Sequence, residues 1–156
     1  MYIALYSAFF SEETLQYVKA TIDYLDNHGH RFTIIHRLKK QLDSESPDYS
    51  YYNEEEQLDD SIDFLFSIGG DGTILRAVTL VRDSEIPILG INTGRLGFLT
   101  SLHRDALNEG LNLFFEKKYS FINRSLLQVR TKEPHPILEE TGFALNEVSV
   151  NRKNTT

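Results

Sequence analysis

The chain has 156 residues, room for one ordinary domain or one domain and part of a second, and its 40% hydrophobic content is enough for a buried core. Lys and Arg total 16 against 23 Asp and Glu, a formal charge of -7 that argues against a general nucleic-acid binder, because neutralising phosphates takes a basic stripe. The absence of cysteine excludes disulfides, thiolate zinc sites and a cysteine nucleophile, and it is compatible with a reducing, cytoplasmic setting.

The opening stretch MYIALYSAFFSEE has no basic leader and no small-residue cleavage pattern, and its apolar run is too short to span a bilayer. It reads as the first strand of a soluble protein without a membrane segment. Ser11 suits the N-cap of a helix, with Glu12 and Glu13 in the first turn and Leu15, Val18, Ile22 and Leu25 at helical spacing; Gly29 ends it. Arg31 opens RFTIIHRL, a β-branched second strand, so a parallel strand-helix-strand unit is expected. Residues 39–60 cluster acids around Pro47 and read as a surface loop, the alternative being a substrate lid that uses Tyr49, Tyr51 and Tyr52.

DFLFSI, residues 63–68, is the kind of apolar run that parallel sheets bury on both faces. Ile74, Leu75, Val78 and Val81 then recur at helical spacing, so IGGDGT lies at a strand-turn-helix junction. IPILGI predicts another buried strand, NTGRLGFLTS a glycine-containing loop, and Leu107, Leu111, Phe114 and Phe115 a further helix, with Lys117 and Lys118 suiting its C-terminus. Beyond residue 118 the pattern changes. YSFINRSLLQVRT and GFALNEVSVNR read as strands with no helix between them, which predicts an α/β unit over 1–118 and the first strands of a second, incomplete β-rich unit over 119–156. Because NRKNTT supplies no closing element, the chain is expected to be the N-terminal portion of a longer protein.

In a parallel sheet, ligands sit beyond the carboxyl ends of the strands, where loops lead into helix N-termini. Gly69 and Gly70 allow a sharp turn and a close backbone approach there, and a helix start offers free N–H groups to phosphate. Asp71 needs a different reason, since a carboxylate beside a phosphate repels it. Either it accepts the proton of a reacting hydroxyl or meets a metal, as in phosphoryl transfer, or it is merely the N-cap of the helix. Neither the GxxxxGK[ST] nor the GxGxxG fingerprint fits. His28, His30, His36, His103 and His135 are scattered without ligand spacing and read as surface residues; no metal ligand is assigned.

GGDGT at 69–73, GINTGRLGFLT at 90–100 and LNEVSV at 145–150 together resemble the motif series of the NAD kinases, in order. GGDGT alone is less specific, since diacylglycerol and sphingosine lipid kinases and phosphofructokinases carry similar turns. The resemblance implies a Rossmann-like, phosphofructokinase-like parallel sheet domain followed by the start of a β-sandwich domain. It implies transfer of a phosphoryl group from ATP to the 2′-hydroxyl of the adenosine ribose of NAD, giving NADP, with a divalent cation such as Mg2+ riding on the donor phosphates.

By the same resemblance Asp71 is the proton acceptor and Gly72 lies against the dinucleotide. Asn146 and Glu147 hold the ribose hydroxyls and adenine, Phe98 and Leu99 line the adenine pocket, and Arg76 touches the dinucleotide. Arg95 is a similar case that is not assigned a role. A homo-oligomer, dimer or tetramer, is implied for the full-length protein. The family's second domain also brings a glycine, serine and threonine-rich phosphate segment and an acid that do not occur before Thr156, so this chain alone is expected to be inactive. Two other readings stand beside this one: a diacylglycerol-type lipid kinase, which would need a membrane-facing apolar or basic surface that this acidic chain does not advertise, and a nucleotide-binding module that has lost catalysis.

Overall fold

A computed structural model describes residues 1–42, 49–54, 58–94, 97–136, 138, 142–149 and 151. The chain divides into two compact units, Met1–Phe121 and Ile122–Thr156.

The first unit begins with β1 (Tyr2–Tyr6), whose Ile3, Ala4 and Leu5 are fully buried. Helix α1 (Glu12–Asn27) starts where the Ser11 hydroxyl accepts the Thr14 N–H at 3.1 Å. Its Val18, Ile22 and Leu25 face the core, and Gly29 leaves it with φ +67°, a left-handed turn that glycine adopts without strain. Strand β2 (Arg31–Ile35) follows, then a short 3-10 turn at His36–Leu38 and β3 (Tyr51–Tyr52). Strand β4 (Phe64–Ile68) is buried at every position, Ser67 included, as a strand of this apolar content in a parallel sheet is expected to be. Helix α2 (Asp71–Val81), strands β5 (Ile88–Asn92) and β6 (Leu102–His103), a 3-10 turn at Arg104–Ala106 and helix α3 (Leu107–Phe115) complete the series.

All six strands are parallel, in the order β3-β2-β1-β4-β5-β6. The chain runs outward from β1 to β3, then returns to the other side of β1 and runs outward again from β4. The direction reverses between β1 and β4, and in open parallel sheets the crevice at the carboxyl ends of such a pair is where ligands lie. The expected α/β parallel sheet is therefore present. Helix α3 closes one side: the Phe114 ring meets Phe64 and Phe66 edge-on at 4.8 and 5.1 Å, and Leu111 is fully buried.

Four readings of the sequence need correction. Residues 39–60 are not wholly loop, because β3 pairs Tyr51 and Tyr52 with Ile34 and Ile35 on the sheet edge. The tyrosines pack rather than hang free as a lid: the Tyr52 hydroxyl donates to Leu5 O at 3.2 Å and the Tyr49 ring lies 5.3 Å from Phe32. Part of that stretch, with Pro47, falls outside the described residues. At the other edge, Leu102 and His103 form a strand that periodicity cannot reveal in two residues. His30 is half-buried rather than on the surface, its ring stacked on Phe115 at 3.7 Å.

The fourth correction concerns the second unit. The two long strands expected there shrink to β7 (Leu127–Gln128) and β8 (Phe143–Ala144), one antiparallel pair in which Leu127 faces Ala144 and Gln128 faces Phe143. Val129 N–H donates to Gly142 O at 2.7 Å beside it. Ile122 and Leu127 are exposed.

Candidate functional site

Two junctions of the first unit frame the crevice. On one side β1 runs into Ser7–Phe10 before α1. On the other, β4 ends and Gly69 turns the chain with φ +151°, a conformation open to glycine and strained for other residues. Gly69 N–H donates to Ile91 O at 2.9 Å, which ties the turn to β5. Helix α2 begins immediately, so Asp71 is its first residue, half-buried at the positive end of the dipole.

The possibility that Asp71 is simply the N-cap does not survive. Gly70 occupies that position, with extended dihedrals, and no side chain caps the helix. The Asp71 carboxylate reaches instead across to the loop after β5, where Oδ2 accepts the Phe98 N–H at 2.8 Å and Oδ1 the Leu99 N–H at 3.0 Å. Bonds from backbone N–H to an ionised carboxylate are among the stronger ones in proteins. The first two motifs thus meet through this one side chain.

The loop itself is built on Asn92 at the end of β5, fully buried, whose amide donates to Thr100 Oγ1 at 3.0 Å and whose carbonyl oxygen accepts Gly94 N–H at 2.8 Å. Ser101 N–H returns to Gly90 O at 2.9 Å. Gly90 has to be small, because a β-carbon there would lie 2.9 Å from Thr100 Cα. Phe98, held at its backbone by Asp71, projects its ring into solvent with 95% exposure, while Leu99 is half-buried. Arg95 lies outside the described residues.

Gly72 is exposed and has no neighbour within 4 Å of where a β-carbon would be, so its surface is open to a ligand. Arg76, one turn further on, is also exposed, and its guanidinium lies 5.2 Å from the ring centre of Phe9 in the β1–α1 loop. That contact spans the reversal point. On the β2 side, Arg37 donates to Tyr6 Oη at 3.2 Å and to Ser7 O at 3.0 Å and pairs with Glu54 at 2.9 Å. Burial pushes the Tyr6 phenol up to about 12 even with Arg37 beside it, so the group stays neutral at physiological pH.

Asp71, Gly72, Arg76, Phe98 and Leu99 therefore gather around one end of the sheet. Asn146 and Glu147 belong to the second unit, exposed just after β8. Sequence reasoning missed Phe9 and Asn92, an exposed aromatic in the β1–α1 loop and an amide at the end of β5, for which no spacing rule speaks. Among the described residues no group of three or more His, Asp or Glu stands close enough to hold a metal ion, and no helix is long and apolar enough to cross a membrane.

The chain matches the model of the ATP-NAD kinase N-terminal domain over residues 11–119. It is 38% identical, over 100% of its length, to an NAD kinase of Christiangramia forsetii and 37% identical to that of Flavobacterium psychrophilum, covering 54% of each. An NAD kinase of Methanothermobacter thermautotrophicus is 34% identical over 95% of this chain and 48% of its own. Among solved structures, yeast NADH kinase complexed with NADH superposes with a TM-score of 0.65 at 17% identity, over 86% of this chain and 44% of that one, a likeness of fold. The chain spans about half the length of the curated relatives it matches. With the family model covering most of the chain and the GGDGT turn and the loop after β5 joined through Asp71, the chain belongs to the ATP-NAD kinase N-terminal domain family.

Proposed function

We propose that this chain supplies the acceptor-side machinery of an NAD kinase, which moves a phosphoryl group from ATP to the 2′-hydroxyl of the adenosine ribose of NAD to give NADP. The observation that carries the reading is the Asp71 carboxylate, at the start of α2 beside the reversal point and gripped by Phe98 and Leu99 N–H groups. Each carboxylate oxygen has two lone pairs, so one per oxygen is left to accept from a hydroxyl. As the ribose oxygen bonds to the γ-phosphorus, its proton passes to Asp71. The bond from phosphorus to the β–γ bridging oxygen breaks, and ADP leaves with that electron pair.

Around this step Gly72 lets the dinucleotide lie on bare backbone, Phe98 and Leu99 offer an apolar face to adenine, and Arg76 offers its charge to a phosphate. Asn146 and Glu147 take the ribose hydroxyls, the amide donating and accepting and the carboxylate accepting. The described residues do not form a metal cage; a divalent cation would be carried by the donor phosphates. In this reading the chain over 1–118 is the nucleotide-binding domain, 119–156 begins a β-rich domain, and the full-length protein is a cytoplasmic homo-oligomer with no nucleic-acid or membrane partner.

The test is calorimetric titration with NAD followed by an assay for NADP with ATP and magnesium. It is run on this chain and on a chain that also carries the stretch its relatives have beyond the matched half. NAD binding with NADP formation by the longer chain is expected. Absence of both from both chains refutes the reading.

A further inference from the structure

Asp71 and the loop after β5 come from different strands, and their meeting depends on a residue that GGDGT does not contain. For Phe98 and Leu99 N–H groups both to reach the carboxylate, the loop backbone must lie flat against it, and Gly97 is the residue at that contact. A β-carbon on Gly97 would overlap the whole Asp71 carboxyl group, 2.6 Å from even the farther oxygen, Oδ2. Gly94, in the same loop, has nothing within 4 Å of its own β-carbon position. Asp71 has little freedom to yield, because its short side chain is rooted in the first turn of α2 and held by two bonds.

We infer that Gly97 is a positioning residue for the phosphoryl transfer: its missing side chain lets the loop backbone clamp the Asp71 carboxylate in a single orientation. The inference rests on the reading of Asp71 as proton acceptor. An unclamped aspartate samples several rotamers and presents an oxygen to the hydroxyl in only some of them, and a misplacement of about 1 Å costs on the order of 100-fold in rate. The same clamp fixes the backbone of Phe98, so one glycine sets both the acceptor oxygen and the root of the Phe98 ring.

The experiment compares Gly97→Ala with the unaltered protein, both in the longer chain that also carries the stretch its relatives have beyond the matched half. Hydrogen exchange at the Phe98 and Leu99 amides should accelerate by about tenfold or more in Gly97→Ala and stay unchanged in Gly94→Ala, which puts the same methyl into open space. NADP formation should lose on the order of 100-fold in kcat, a larger factor than any rise in KM for NAD. The double variant Asp71→Asn/Gly97→Ala should be no slower than Asp71→Asn alone, since Gly97 acts through Asp71. Unchanged exchange in Gly97→Ala, a kcat loss that multiplies with that of Asp71→Asn, or a loss that merely tracks a falling melting temperature overturns the inference while leaving the kinase reading intact. No NADP from the unaltered protein overturns the kinase reading itself, and the catalytic role of Gly97 with it.

Discussion

Gly69→Ala puts two separate strains into one position. The residue stands at φ +151°, where an alanine pays a backbone cost of about 1–3 kcal/mol. Its new β-carbon would also strike the side chain of Thr73, at 2.9 Å from Cβ and closer still to Oγ1. Thr73 is 1% exposed and β-branched, so it has no free rotamer to retreat into, and overpacking of this kind costs a further ~1–3 kcal/mol. The expected loss is therefore roughly 2–6 kcal/mol. Spread over the 121 residues of the first unit, an unfolding entropy of about 2.1 cal/mol/K per residue makes each kcal/mol worth about 4 °C, so the melting temperature should fall by roughly 8–24 °C. Calorimetry or circular dichroism reads this directly. In a Thr73→Ala background the contact with Oγ1 disappears while the one with Cβ at 2.9 Å stays, so the loss should shrink toward the backbone part of about 1–3 kcal/mol. A loss under about 1 kcal/mol in the native background, or the same loss with and without Thr73, refutes the reasoning.

Two further predictions concern the scaffold. Ser11→Ala removes the acceptor for Thr14 N–H and the hydroxyl contact to Thr14 Oγ1 at 2.9 Å, and should cost about 1 kcal/mol in chemical denaturation, whereas Ser11→Asp should cost little. His30 has its pKa lowered by burial against Phe115, with His28 and the chain's amino terminus adding repulsion, so the unfolded chain binds the proton more tightly than the folded one. Its contribution to stability should be complete above its ordinary value near 6.5, decline as pH falls from there through the lower folded value, and flatten below that. His30→Gln should remove that slope from a pH series of melting temperatures, and an unaltered slope would show the effect to come from elsewhere.

The elements that sequence made legible are those with enough residues to carry a period. Strands β1, β4 and β5 are five-residue segments dominated by apolar side chains, and α1 announces itself through Ser11, its first-turn acids and Leu15, Val18, Ile22 and Leu25. Edge strands β3 and β6 are two residues each and owe their form to the neighbour they pair with, which no local pattern encodes. In the second unit, β-rich composition promised long strands, and the described pair has two residues on each side. At the site, GGDGT located the turn and the acid. The direction of the acid was not legible, because Asp71 turns toward a loop 27 residues away and the partners are backbone N–H groups, which carry no sequence signature. Gly97 looked like one more loop glycine until its distance to that carboxylate was known.

The central claim is that Asp71 takes the proton of the attacking hydroxyl. Asp71→Asn keeps the size and one acceptor of the side chain while removing its basicity, so the direct measurement is NADP formation by this variant in the longer chain, paired with NAD binding on the same sample. The account predicts NAD affinity within a few-fold of the unaltered protein and kcat lower by on the order of 100- to 10,000-fold. Turnover left unchanged in Asp71→Asn, with NAD bound equally well, would contradict it.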